Sequence, residues 1–175
     1  MPFFWETYDN VQGATVPPNG PSVLTLTLGY YFRVNVNFQF VGWRIYSDIS
    51  PLGVIGGTVW NASSTALLAL GITSLRLSNA PQTAPAWKNF YAHPRVHLLA
   101  NTDYLLGVAV ENFQVFQNTN FFHSSSLTNG PITLPQHIPG TNTPNGLTFL
   151  RTSLNFPPNT STGTLYGIDL MILPS

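Results

Sequence analysis

The sequence predicts an all-β fold, specifically a two-sheet β-sandwich of jelly-roll type. Alternation of apolar and polar residues with a period of two is the commonest pattern along the chain, as expected for half-buried strands. Long helices are excluded, because the segments that could hold a helical period are interrupted by Gly or Pro. The alternating segments are short and recur at roughly ten-residue intervals, which is typical of sandwiches and jelly rolls.

The start of the chain predicts an extended arm with a hinge. Four aromatic residues cluster there: Phe3, Phe4, Trp5 and Tyr8. Residues 16–21 read Val-Pro-Pro-Asn-Gly-Pro, a run typical of turns. The chain therefore divides into an arm and hinge at 1–22 and a β-sandwich domain at 23–175. The four aromatic residues are a candidate docking site for a partner protein, because aromatic side chains are enriched in protein interfaces.

Eight or nine short strands are predicted in the domain, at 23–28, 30–34, 38–46, 57–60, 66–70, 87–98, 102–111, 147–150 and 165–173. If Gly42 marks a β-bulge, four large residues of the third strand face the core, namely Phe38, Phe40, Trp43 and Ile45. A hairpin is predicted around Asn61–Ser64, with a very short helix at 65–70 as the alternative. Residues 124–145 are rich in Pro and in Asn-Gly and Pro-Gly pairs, which predicts an irregular loop.

The low charge of the chain narrows the range of partners. Only 7% of the residues are charged, six of each sign, where an ordinary soluble domain has about 25%. The basic residues are scattered singly, so no basic patch for nucleic acid is predicted. Strand edges that lack charged residues favour an assembly in which partners, including copies of the same chain, cover them.

Composition also excludes several kinds of site and segment. The absence of Cys excludes disulfides, thiolate catalysis and cysteine-based zinc sites. The first ten residues lack a basic region, so no secretory signal is predicted and synthesis in a host cytoplasm is expected. The uncharged stretches 49–75 and 112–150 are broken by Pro, Gly, Asn and Ser, so no membrane-spanning segment is predicted.

Residues that could carry catalysis are few and dispersed. A glycosidase mechanism would need folding to bring two carboxylates together, for example Asp48 and Asp103. There is no G-x-S-x-G motif, and Gly53–Gly57 lacks the Lys and helix of a phosphate loop. His93 and His97 have the spacing of a zinc-binding helix, but the extended context predicts a strand with both histidines partly exposed. We therefore expect no enzyme, no metal site and no cofactor.

Aromatic residues are the stronger signal, at 13% of the chain. Trp43, Trp60 and Trp87 lie at strand positions and are expected in the core. Other aromatic residues are candidates for an exposed surface that contacts a glycan or a partner: Tyr30, Phe116, Phe121 and Phe122. Aromatic, poorly charged surface is common to protein interfaces and sugar-stacking faces, so the sequence leaves both roles open.

The succession of strand segments resembles the domain of unknown function called DUF4082. The matching segments are 28–32, 41–46, 57–63, 67–69, 86–90, 99–108, 145–147, 156–157 and 166–170. This resemblance covers roughly residues 23–173 and implies a non-catalytic β-sandwich similar to carbohydrate-binding modules. Such domains occur in secreted bacterial multidomain proteins and in structural proteins of phages that infect actinobacteria. A single domain without a secretory signal departs from the secreted members, which favours the phage context.

Two functions from different classes follow. The first is a bacteriophage virion structural protein, a capsid decoration or tail-surface protein that docks on other virion proteins by its arm and uncharged surfaces, as a homo-oligomer. The second is a carbohydrate-binding or host-adhesion module that binds cell-surface glycans through exposed aromatic residues. The first places the chain in the virion. Capsid or tail location, stoichiometry and the identity of any glycan are left open.

Overall fold

The computed structural model describes residues 26–47, 54–72, 86–110, 117–118, 126–137, 145–150, 163, 165–166 and 168–175. These residues form strands and turns without a helix, as the alternation predicts. The strands are β1 Leu26–Val34, β2 Phe38–Ser47, β3 Val54–Asn61, β4 Leu67–Ile72, β5 Ala86–Leu98, β6 Thr102–Val110, β7 Gln117–Asn118, β8 Leu127–Asn129, β9 Ile132–Leu134, β10 Leu147–Leu150, β11 Leu165–Tyr166 and β12 Ile168–Pro174.

Two antiparallel sheets pack face to face as a β-sandwich, which confirms the predicted fold class. The larger sheet has the order β4-β3-β6-β1-β9-β8, with β10 also paired to β1, and the smaller has the order β12-β2-β5. Strands β7 and β11 form a separate two-stranded ribbon. The predicted arm and the division at residue 22 lie outside the described residues, and the jelly-roll connectivity stays a prediction.

The interior of the sandwich is built on β2, and the predicted bulge at Gly42 is confirmed. In the pairing of β2 with β12, Gly42 is opposite Met171 and Phe40 is opposite Ile172, so Val41 is an extra residue of β2. Phe40 and Trp43, on either side of this bulge, therefore both face the core. Only glycine fits at this position, because a Cβ on Gly42 would collide with the backbone carbonyl oxygen of Phe90 and lie 2.9 Å from the Cα of Tyr91. All four residues predicted to face the core are buried: Phe38, Phe40, Trp43 and Ile45.

Trp43 is the central side chain of this core. Its ring stacks between those of Phe40 and Phe90, with centroids 6.4 and 6.0 Å away. Gly57 of the opposite sheet makes room for the indole, since a Cβ on Gly57 would lie 2.7 Å from the ring. Trp60 is also buried, as predicted, but on the outer face of the larger sheet, beside Leu105. The side chain of Trp87 lies outside the described residues.

The structure corrects three predicted elements. Strand β1 runs through Gly29 without a break, because Gly29 pairs with Gly107 and its missing Cβ lets the carbonyl oxygen of Leu106 approach. The segment predicted as 165–173 divides into β11 and β12. The predicted loop at 124–145 contains the β8–β9 hairpin, which turns at Gly130 with φ of +55°.

The hairpin predicted around Asn61–Ser64 is confirmed, and the alternative helix at 65–70 is wrong. The Oδ1 of Asn61 accepts hydrogen bonds from the backbone N–H groups of Ser63 and Ser64, at 3.0 and 2.9 Å. This is an Asx turn, which favours chain reversal over a helix. Strand β4 then pairs with β3.

Asn145 fills a gap in the larger sheet where a strand would otherwise be needed. One edge of β1 pairs with β10 at residues 26–29 and with β9 at residues 33–34. Between them, the Asn145 side chain accepts a hydrogen bond from the Tyr31 N–H at 3.0 Å and donates one to the Tyr31 carbonyl at 3.3 Å. Asn145 is fully buried, so its amide acts as a one-residue substitute for a strand.

Candidate ligand-binding face

Of the predicted contact residues, Tyr30 is the one that lies within the described part of the chain, and its side chain is in the core. Its exposed fraction is 2%, so the prediction that it contacts a glycan or partner is wrong. The reason is the alternation of β1, in which Tyr30 shares the inward face with Leu28 and Phe32. The other predicted contact residues lie outside the described residues: Phe3, Phe4, Trp5, Tyr8, Phe116, Phe121 and Phe122.

An exposed row of ligand-capable side chains instead lies on β5, an end strand of the smaller sheet. Phe90, Ala92 and Leu98 face the interior. The intervening alternation leaves Tyr91 exposed at 59%, the most exposed aromatic residue in the described part of the chain. We call the outward side of β5, with the neighbouring Gln39 of β2, the β5 face; its members are Gln39, Tyr91, His93, Arg95 and His97.

A wide bulge shapes the middle of the β5 face. Tyr91 pairs with Gly42 and Val96 pairs with Phe40, so four residues of β5 lie opposite Val41 alone. The bulge contains the cis peptide bond between His93 and Pro94, and both residues are exposed. The prediction that His93 and His97 lie exposed on a strand rather than in a helix is confirmed.

Arg95 is held across the bulge by a neutral partner. One of its terminal nitrogens donates a hydrogen bond of 3.2 Å to the Oε1 of Gln39. Gln39 is also the register partner of His97, so these three side chains adjoin on one surface. A guanidinium has five N–H donors, and a single bond to an amide leaves its charge uncompensated.

The acidic residue nearest in this sheet is already neutralised. Asp169 on β12 is opposite Arg44 on β2, and its Oδ2 lies 2.7 Å from both the Nε and a terminal nitrogen of Arg44. The other carboxylate oxygen accepts a hydrogen bond of 2.7 Å from the Leu170 N–H. Because both charged side chains are nine-tenths or more buried, this pair adds no net charge to the β5 face.

The exposed charges of the larger sheet cancel as well. Arg33 on β1 and Asp103 on β6 form a two-pronged ion pair, with N–O distances of 2.7 and 2.6 Å. The hydrogen bond and charge of Asp103 raise the pKa of Arg33 above its ordinary value. Asp103 is thus committed to an arginine, while Asp48, its proposed catalytic partner, lies outside the described residues. Burial also raises the pKa of the neighbouring Tyr31 phenol.

Within the described ranges, no three residues of the His, Cys, Asp and Glu types gather as a metal site would require. The same part of the chain contains no helix with the length and hydropathy of a membrane span. The β5 face is therefore a surface with hydrogen-bonding, stacking and positively charged groups but no catalytic group of carboxylates or metal ligands.

Sequence reasoning missed Tyr91, Arg95 and Gln39, although a usable signal was present. Tyr91 lies between Phe90 and Ala92 in a segment read as a strand, so assigning those two residues to the core would have turned Tyr91 outward. The contact between Arg95 and Gln39 joins residues 56 positions apart and depends on the bulge register. No local pattern indicates it.

Comparison with protein families gives one match. A family model described as a domain of unknown function, DUF4082, matches residues 14–168. The match begins earlier than the resemblance identified from the strand segments and includes part of the predicted arm. No curated protein matches the chain.

Proposed function

We propose that this chain, which belongs to the DUF4082 family, is a non-enzymatic structural protein of a bacteriophage virion, a capsid decoration or tail-surface protein. The expected partners are other virion proteins and further copies of the same chain. The observation that supports this role is the low charge of the surface, which combines a charged fraction of 7% with the ion pairing of four described charged residues, Arg33 with Asp103 and Arg44 with Asp169.

Neutral surface suits permanent packing between subunits. The Arg33–Asp103 and Arg44–Asp169 pairs remove four charges from any interface, so two such surfaces can approach without desolvating isolated ions. Exposed apolar side chains such as Leu99, at 60%, and Val36, at 48%, add area that packing would bury. The aromatic arm supplies the docking segment in this proposal.

The experiment compares the full chain with a variant lacking residues 1–21. Light scattering measures the oligomeric mass, and co-sedimentation measures association with particles of the phage whose genome carries the sequence. We expect a closed oligomer and particle binding that both depend on the arm, with circular dichroism unchanged. A monomer for both chains, or full particle binding without the arm, would contradict the proposal.

A carbohydrate-binding or host-adhesion role is the second candidate, and the exposure of Tyr91 favours it. Aromatic rings on a sheet face can pack against the apolar side of a sugar ring while neighbouring polar groups bind its hydroxyls. A glycan array probed with the full chain and with Tyr91→Ala tests this role. The control is Leu67→Ala, which removes an exposed apolar side chain from the other sheet. A signal that survives Tyr91→Ala would argue against it.

A further inference from the structure

We propose that the β5 face binds an acidic polysaccharide, recognising its carboxylate groups through Arg95 and its sugar rings through Tyr91. This inference rests on the carbohydrate-binding candidate and adds the chemical class of the ligand. It is compatible with a virion location, because the β5 face and the predicted arm are separate parts of the chain.

Tyr91 supplies the stacking surface. It is 59% exposed, and its register partner on β2 is Gly42, which has no side chain to cover the ring. A tyrosine has few rotatable bonds, so ordering it on a ligand costs little conformational entropy. The phenol also offers a hydrogen bond at the ring edge.

Arg95 supplies the charge. Its bond to Gln39 orients the guanidinium, and the remaining N–H groups are available for a planar carboxylate, which arginine binds in two-pronged fashion. Among the described side chains, it is the arginine without an acidic partner, since Arg33 and Arg44 are bound to Asp103 and Asp169. Among the described arginines, the uncompensated positive charge is therefore located on the β5 face.

The imidazole of His97 extends the polar part of the face. His97 lies opposite Gln39, and Tyr91 lies opposite Gly42. These two β2 positions are three residues apart, so Tyr91 and His97 are separated by about 10 Å along the sheet. That spacing is suited to consecutive sugar units of an extended chain, with the carboxylate of one unit at Arg95.

Charge also argues against nucleic acid as the ligand. Proteins that bind a phosphate backbone commonly make about 6–10 phosphate contacts with Lys and Arg. The described β5 face offers one arginine, which is too little for a polyanion of that charge density. A carboxylate on each sugar ring, with hydroxyls between, matches one arginine among several other hydrogen-bonding side chains.

The test uses polygalacturonate and its methyl ester, which share a backbone and differ in the charge of the carboxyl group. Isothermal titration calorimetry measures the dissociation constant of each polymer for the full chain and its variants. We expect Arg95→Gln to weaken polygalacturonate binding about tenfold and to change ester binding by less than about twofold. Tyr91→Ala should weaken both polymers by a similar factor.

The matched control is Arg33→Gln, which removes the same charge from an exposed arginine of the other sheet. It should leave both dissociation constants within about twofold of the parent values. Tyr91 and Arg95 are exposed, so their variants are expected to fold, and thermal unfolding checks this.

The inference would be overturned by equal affinity for the acid and the ester, by an equal effect of Arg33→Gln and Arg95→Gln, or by tighter binding of oligo-dT than of polygalacturonate. Equal affinity that still depends on Tyr91 would reject acid recognition and retain carbohydrate binding. Absence of binding to either polymer would also reject the recognition of an acidic polysaccharide. The glycan array tests the carbohydrate-binding role separately.

Discussion

Replacement of Asn145 by alanine is expected to be among the most destabilising single changes in the larger sheet. The side chain makes four hydrogen bonds: with the N–H and carbonyl of Tyr31, with the Pro135 carbonyl at 2.7 Å, and with the Gly146 N–H at 2.9 Å. Alanine removes all four, and it leaves the backbone N–H and carbonyl of the half-buried Tyr31 without these partners.

Each polar group left unsatisfied in the interior costs about 1–3 kcal/mol. Relaxation of Gly146, which is adjacent in sequence, would lower its share, so we expect a loss of about 3–4 kcal/mol in the free energy of unfolding. For a chain of this size that corresponds to a fall of about 6–16 °C in Tm. Urea unfolding followed by tryptophan fluorescence measures the free energy directly.

The control is Asn37→Ala, the same substitution at an exposed site. The Oδ1 of Asn37 accepts one hydrogen bond, from the Ala100 N–H at 2.8 Å. Because water can replace that partner, the expected loss is about 1 kcal/mol or less. Equal losses for the two variants would refute the view that Asn145 substitutes for a strand.

Three further predictions concern other interactions. Asp169→Ala should lower the free energy of unfolding by about 3–5 kcal/mol, because it leaves Arg44 charged and buried. The double variant Asp169→Ala with Arg44→Met should lose less than the sum of the two single changes. A double-mutant cycle in urea measures this coupling, and additive losses would contradict the prediction. Because burial raises the pKa of Tyr31 above that of the unfolded chain, the folded state holds this proton more tightly, so stability should fall as pH rises above about 10. Tyr31→Phe should reduce that fall. Urea midpoints measured at two alkaline pH values test this, and an equal change in midpoint for the parent chain and the variant would contradict the prediction. Gly57→Ala should cost about 1–3 kcal/mol, because the added methyl meets the Trp43 ring, and an unchanged Tm would show that the indole can move aside.

The strands and the bulge could be predicted because their signals are local. Alternation within β2 marks the residues that face the core, and Gly42 interrupts that alternation where the register shifts. The same reasoning applied to β1 would have turned Tyr30 inward, alongside Phe32. The error arose because Tyr30 was grouped with aromatic residues outside β1, and the alternation of its own strand was not applied to it.

Long-range polar contacts could not be predicted in this way. Asn145 and Tyr31 are 114 residues apart, and the Asn-Gly pair at 145–146 has the local appearance of an ordinary turn. The need for a side-chain amide arises only after β9 and β10 have paired with different parts of β1. The β5 face likewise depends on which strands become neighbours in the smaller sheet.

The ion pair between Arg44 and Asp169 determines how far β12 can slide along β2. Ile168, Leu170 and Ile172 face inward at alternate positions, so a displacement by two residues would keep apolar side chains on the inner face. It would also separate Asp169 from Arg44 and leave two buried charges unpaired, at a cost of several kcal/mol. Hydrophobic alternation thus determines which face of β12 is buried, and one ion pair determines its register against β2. Two of the twelve charged residues of the chain therefore specify the register between two strands.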